Sequence, residues 1–225
     1  MTKLSIIALI PVKGNSERVI KKNIRPFADT NLLELKLNQI IESKSVDKII
    51  VSSESSEVLD YANKFNNVIT HKRDSSYSTS SVPMSSVYSH LAKEVECENI
   101  MWAQVTNPLA GSKIYQKAVD LYFSMDSKFD CLLSCSEVKD YLLRDFKPLN
   151  FTRIPWMKSQ DLEGIHELTF VANILKRDNL IKWGSLVGEN PYYIELDKDI
   201  SMDIDFQEDF DFCEYLYKKN PKKYL

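Results

Sequence analysis

Leu4-Ser5-Ile6-Ile7-Ala8-Leu9-Ile10-Pro11-Val12 is an almost unbroken apolar run, and it gives way at once to Lys13-Gly14-Asn15-Ser16. A short run without polar alternation reads as a strand buried on both faces, the kind found inside a parallel sheet. Similar runs recur at Lys48–Ser53, Val68–His71, Ile100–Val105 and Cys131–Ser136. Between them, Asn31–Ser43, Ser55–Phe65, Pro83–Glu96 and Ser112–Met125 place apolar residues at helical period, with Pro83 suited to a first helical turn. Strand and helix in alternation predict an α/β fold with a mainly parallel sheet flanked by helices. The rhythm breaks from Val138 to about Gly164, where Tyr141, Phe146, Pro148, Pro155 and Trp156 mix with charges. It resumes through Leu168–Leu175, a strand at Tyr192–Leu196 and a last helix from about Gln207 to Lys218. With no repeat or Pro/Gly-rich linker, residues 1–225 read as one domain, and 138–165 as an inserted segment forming a lid or a dimerisation arm.

Composition narrows the function. The 225 residues are 44% hydrophobic, enough for one sizeable core. Lys+Arg 29 against Asp+Glu 32 leaves a net charge of −3, without the basic excess of a nucleic-acid binder. The 5 glycines form neither G-x-G-x-x-G nor G-x-x-x-x-G-K-[ST], which argues against a classical dehydrogenase or a P-loop NTPase. No run approaches the roughly 18 apolar residues of a membrane span, and no signal-peptide cleavage pattern follows the first run. A soluble, cytoplasmic protein is expected, in which Cys97, Cys131, Cys135 and Cys213 stay reduced and pack as small apolar groups. His71, His90 and His166 show no catalytic or metal-binding spacing.

In an open α/β sheet, ligands sit beyond the carboxyl ends of the strands, so the loop after the first strand is the place to look for chemistry. From Lys13 to Arg25 it carries five basic side chains, Lys13, Arg18, Lys21, Lys22 and Arg25, against the single acid Glu17. Gly14 permits close approach of the backbone to an anion, Asn15 and Ser16 suit a turn and donate hydrogen bonds, and the cations suit phosphate oxygens. The loop reads as a polyphosphate cradle or as an ordinary solvated basic loop. Far along the chain, Ile200-Ser-Met-Asp203-Ile-Asp205 puts two carboxylates on one face of an extended segment. Hard oxygen donors of this kind suit Mg2+ held jointly with substrate phosphates. Asp205 with Glu208 equally fits a capping-box start to the last helix, which leaves Asp203 the safer metal candidate.

These residues resemble the acylneuraminate cytidylyltransferases, the CMP-sugar synthetases of the nucleotide-diphospho-sugar transferase superfamily. Ile10–Phe27 is similar to that family's opening motif, Lys48–Glu54 to its second-strand segment, Ala103–Leu109 to its Q-P-T-S-P-L turn and Ser201–Asp209 to its closing D-I-D-x-x-E-D. The resemblance spans nearly the whole chain and implies a Rossmann-like fold. It implies transfer of CMP from CTP to an acidic acceptor with release of pyrophosphate, for surface-glycan synthesis. By position, Lys13, Ser16, Lys22 and Asn23 would meet the CTP phosphates and their surroundings, Arg73 and Ser78–Ser81 (Ser80 among them) the cytosine and ribose, and Gln104 the acceptor. Asp203 and Asp205 would hold Mg2+, and Arg18, Gly14 and Asn15 would complete the cradle. A homodimer is implied as well.

Three departures stand out, the last two bearing on the acceptor. Lys13 stands where an arginine is usual, keeping the charge but losing the bidentate fork. Ala110 follows Leu109 where the family turn ends in arginine, and Leu168–Ala172 supplies neither the arginine nor the asparagine of an R-P-N-G-A-like strand. A charge-assisted carboxylate contact contributes about 1.5–3 kcal/mol, so losing two points to an acceptor other than sialic acid. Another nonulosonate, a 3-deoxy-octulosonate relative, or a phosphonate- or phosphate-bearing small molecule fits, as does a non-catalytic nucleotide-binding protein of the same fold. Lys139, Arg144, Lys147, Arg153, Lys158 and His166 are candidates for replacement contacts.

Overall fold

The computed structural model describes residues 4–14, 16, 18–162 and 164–225. Its main sheet contains β1 (Leu4–Pro11), β2 (Lys48–Ser53), β3 (Val68–Lys72) and β4 (Cys97–Trp102). It continues with β5 (Cys131–Val138), β6 (Ile165–Leu168), β7 (Asn173–Lys176) and β8 (Pro191–Glu195). β1 is central and parallel to both neighbours, with Leu9 opposite Ile50 of β2 and Trp102 of β4. β3 adds in parallel outside β2. Beyond β4 the direction changes: β7 runs antiparallel between β4 and β5, β6 is antiparallel to β5, and β8 is parallel to β5.

Successive side chains of β1 point to opposite faces, and both faces are covered. On one side Ala8 and Ile10 pack with Leu33, Leu37 and Ile40 of α1 (Leu32–Ser43) and with Tyr115 and Ala118 of α4 (Ser112–Ser124). On the other, Ile7 and Leu9 meet Val87 and Leu91 of α3 (Met84–Lys93) and Leu180 of α5 (Arg177–Trp183). This two-sided burial is why the first run shows no polar alternation. Each such aliphatic side chain contributes about 1.5–3 kcal/mol, and Leu9→Ala would cost about 2–5 kcal/mol.

Helix starts follow their caps: Asn31 accepts from the Glu34 N–H at 2.9 Å, and Ser55 caps α2 (Ser56–Ala62). The last long helix, α6 (Gln207–Lys219), is followed by the single turn α7 (Pro221–Tyr224). At the start of α6 the sequence expectation needs correction. Asp209, not Glu208, is the capping carboxylate, accepting from the N–H groups of Asp205 at 3.0 Å and Phe206 at 2.7 Å. The side chain of Asp205 takes no part in that cap.

The fourth strand begins at Cys97 rather than Ile100, because Leu4 and Ile6 of β1 pair with Cys97 and Asn99. Ala103 makes the last bond to β1, its N–H donating to the Leu9 carbonyl at 3.2 Å, and the residues beyond it become the turn that carries Gln104. The expected return run Leu168–Leu175 divides into β6 and β7 around residues 169–172. α5, with 7 residues, is too short to declare a helical period in sequence. In the middle segment a small hairpin, Leu143–Arg144 with Lys147–Pro148, adjoins an aromatic cluster in which Trp156 lies 5.1 Å from Tyr141 and 5.5 Å from Phe151, ring centre to centre. Among the described residues, no helix is long and apolar enough to cross a membrane.

Candidate active site

From β1 the chain winds outward to β2 and β3, then crosses to the other side of β1 to form β4. That reversal leaves a crevice beyond the carboxyl ends of β1 and β4. A cleft of about 710 Å3 opens there. Its walls are the ends of the parallel strands and the chain just beyond them: Pro11 at the end of β1 and Lys13 after it, Glu54 after β2, Arg73 after β3, and Gln104 to Thr106 after β4. The segment leading into α6 closes the far side with Asp203 and Asp205.

One side of the cleft is cationic. Lys22 is buried and donates through Nζ to the Ile204 carbonyl. Burial lowers its pKa, opposed by the carboxylates of Asp203 and Asp205. Asn23 is also buried; its Nδ2 donates to the Lys13 carbonyl at 2.8 Å and fixes the loop, while its Oδ1 has no partner among the described residues. Lys13, Ser16 and the exposed Arg18 line the opening. Arg18 forms an ion pair of 2.7 Å with Asp205 and lies over the Phe206 ring.

Beneath the loop is a buried polar knot. Arg73, 3% exposed, donates to Oε2 of Glu54 at 2.9 Å, to the Val12 carbonyl at 3.2 Å and to Ser78 Oγ at 3.0 Å. Glu54 also accepts from the Gly14 N–H at 2.8 Å and from Ser78 Oγ at 3.0 Å. Burial alone would raise the Glu54 pKa; the hydrogen bonds from Arg73, from the backbone of Glu54 and Gly14, and from Ser78 outweigh it, and the net shift is downward. Gly14 thus spends its N–H on Glu54 and does not line the cleft. It must be glycine for another reason: a Cβ there would overlap Ser55 Cβ and come within 2.9 Å of Ser55 Oγ.

On the acidic side, Ile204 N–H donates to the Thr106 carbonyl at 2.9 Å, and Asn107 Nδ2 donates to the Met202 carbonyl at 3.0 Å. These bonds tie the 201–205 segment to the turn after β4. The Asp203 pKa is raised, first by desolvation in the concave wall and then by the like charge of Asp205, with Thr106 and Lys22 acting in opposition. Such a carboxylate gains by meeting a cation. The described residues contain no group of three or more His, Cys, Asp or Glu side chains able to hold a metal by themselves. Two carboxylates on the wall of this cleft nonetheless fit Mg2+, which is commonly held by one or two carboxylates with the remaining sites filled by substrate phosphates and water.

Of the residues singled out in sequence, Lys13, Ser16, Arg18, Lys22 and Asn23 meet Asp203 and Asp205 across this cleft, and Arg73, Ser80 and Gln104 line it too. Gly14 stands behind it, and Asn15 lies outside the described residues. None of Lys139, Arg144, Lys147, Arg153, Lys158 and His166 lines it; His166 instead faces Glu195, at 3.5 Å. Glu54, Thr106 and Tyr77 line the cleft without having been singled out. For Glu54 a positional signal existed, since it directly follows an apolar strand.

Residues 7–149 match the family model described as Cytidylyltransferase. The chain is 25% identical to the pseudaminic acid cytidylyltransferase of Campylobacter jejuni over 233 residues, covering 95% of this chain and 97% of that one. It is 23% identical to the N-acylneuraminate cytidylyltransferase of Escherichia coli, covering 98% of this chain and 54% of that protein. Among solved structures, CMP:2-keto-3-deoxy-manno-octonic acid synthetase complexed with CTP superposes with a TM-score of 0.69 at 11% identity, covering 96% of this chain and 99% of that one. That likeness is one of fold.

Proposed function

The chain belongs to the cytidylyltransferase family, and from that premise we propose that it transfers CMP from CTP to a nonulosonate sugar acid of the pseudaminic or sialic type. The observation that carries the reading is the meeting of a basic loop after β1 with a carboxylate pair before α6, in one cleft at the point where the sheet order reverses. The similarity to a pseudaminic acid cytidylyltransferase along nearly the full length of both chains supports the acceptor class. The missing acceptor-side arginines favour a nonulosonate other than sialic acid itself.

In this reading an acceptor hydroxyl oxygen attacks the α-phosphorus of CTP. The new P–O bond forms as the bond to the β,γ-pyrophosphate breaks, and the hydroxyl proton passes to solvent water. Positioning and neutralisation of charge supply most of the catalysis of such transfers. Lys13, Ser16 and Lys22 bind and orient the phosphates, Arg18 balances the charge beside Asp205, and Gln104 faces the acceptor. Asp203 and Asp205 would hold Mg2+, which when bound polarises the phosphate and offsets the charge of the leaving pyrophosphate. We assign the work to the cytoplasm, where CTP is supplied. We read the middle segment as a contact for a second copy of the chain, since Phe146 is 95%, Ile154 79% and Trp156 64% exposed on it.

Pyrophosphate release is the test, measured with CTP and Mg2+ against pseudaminic acid, N-acetylneuraminic acid, 3-deoxy-octulosonate and small phosphonates. Turnover with a nonulosonate, abolished by EDTA, is expected. Turnover only with a phosphonate would refute the acceptor class, and CTP binding without turnover on any acid would refute catalysis.

A further inference from the structure

Behind the cleft a lysine is buried outright. Lys36, on the inward face of α1, has no solvent exposure, nor do Asn107 and Tyr115 beside it. Its Nζ donates to the Asn107 carbonyl at 2.7 Å and also contacts the Tyr115 hydroxyl. A lysine so placed, with no carboxylate in contact among the described residues, is an expensive way to fill space that leucine or methionine would fill more readily. What it touches is informative. The amide side chain of Asn107 donates to the carbonyls of Met202 at 3.0 Å and Ser201 at 3.3 Å, immediately before Asp203. Its Oδ1 is buried with no hydrogen-bond partner among the described residues, so the position uses the donors of the amide and not its acceptor.

We propose that Lys36 and Asn107 form a positioning pair: Lys36 holds the turn after β4 through the Asn107 carbonyl, and Asn107 in turn fixes the backbone that presents Asp203 to the metal-nucleotide. Neither touches substrate. Lys36 acts through Asn107, with the Tyr115 hydroxyl fixing the lateral place of its Nζ. Asp203 sits between two tethers to that turn, the Asn107 amide on the Met202 carbonyl and the Ile204 N–H on the Thr106 carbonyl, and the Asn107 tether is the one that Lys36 reaches. The inference rests on the reading of Asp203 as a metal ligand, and the experiment separates the two.

The full-length chain is prepared as wild type, Lys36→Met, Asn107→Ala, the double variant and Asp203→Asn. Mn2+ binding in the presence of CTP is followed by electron paramagnetic resonance, and CTP binding in EDTA by calorimetry. Partners that orient a metal ligand are commonly worth 10–100-fold in metal affinity, so each single change should weaken Mn2+ binding by about tenfold. CTP affinity in EDTA should stay within about twofold of wild type, because the basic loop is untouched. Since one residue acts through the other, the double variant should be no worse than the poorer single by more than about twofold. Unchanged Mn2+ affinity in folded Lys36→Met or Asn107→Ala overturns the proposal, as does a double variant whose losses multiply to about a hundredfold. If Lys36→Met does not fold, Asn107→Ala carries the same prediction. If Asp203→Asn leaves Mn2+ binding intact, the metal reading itself is wrong, whatever the Lys36 variants do.

Discussion

Replacing Lys36 by methionine should change how stability depends on pH. Burial holds the Lys36 pKa down to about 7 in the folded protein, against an ordinary value of 10.5. Between those values the unfolded chain carries a proton that the folded chain sheds, so folding becomes more favourable as pH rises. The contribution is complete above 10.5 and lost as pH falls towards 7. One proton is worth about 1.36 kcal/mol per pH unit, and allowing for the half-titrated state near neutrality, wild type should gain about 2 kcal/mol from pH 7 to pH 9. Lys36→Met gains nothing from this source. Urea unfolding of both proteins at pH 7, 8 and 9 measures the effect as a difference, so every other group titrating in that range cancels. The gap should move by about 2 kcal/mol in favour of wild type. A gap that stays constant across the range would mean that Lys36 keeps its proton, held by the Asn107 carbonyl and the field of Asp203, and the reasoning from burial would fail.

Asp203→Asn keeps the shape of the acidic wall but removes one charge, and should lower kcat for pyrophosphate release by about a hundredfold or more while leaving the urea midpoint near wild type. Gly14→Ala must push the loop off Ser55 and lengthen the Gly14–Glu54 hydrogen bond; a loss of about 1–3 kcal/mol in urea unfolding is expected. Glu54→Ala would strand the buried Arg73 guanidinium and cost about 3 kcal/mol at pH 7. Because the Glu54 pKa is lowered from 4.5, that penalty should be full above pH 4.5 and fade as pH falls through the lower folded value, which unfolding at pH 7 and below 4 would follow. Trp156→Ala should shift sedimentation towards the monomer, and an unchanged sedimentation coefficient would remove this arm from the interface.

The central strands were legible because burial on both faces leaves an unambiguous apolar run, and the basic loop and acidic pair because their charges are concentrated in short stretches. Their union across 182 residues, as between Lys22 and the Ile204 carbonyl, follows from strand order, which hydropathy does not encode. Lys36 looked like one polar residue among Leu35 and Leu37. Nothing local announces partners 71 residues away at Asn107 and 79 away at Tyr115. The fourth strand was displaced for a similar reason: Val105 is apolar and buried, yet it serves the turn, and Ala103 makes only the last bond to β1. Gly14 was readable as special, but the crowding by Ser55 that makes it so comes from another strand's loop.

The carboxylates of the cleft belong to a stretch that the ribosome makes long after the cationic loop. Until that stretch has emerged and its backbone has bonded to Thr106 and Asn107, a nascent chain lacks the acidic wall of the cleft. The cleft is therefore completed only late in synthesis.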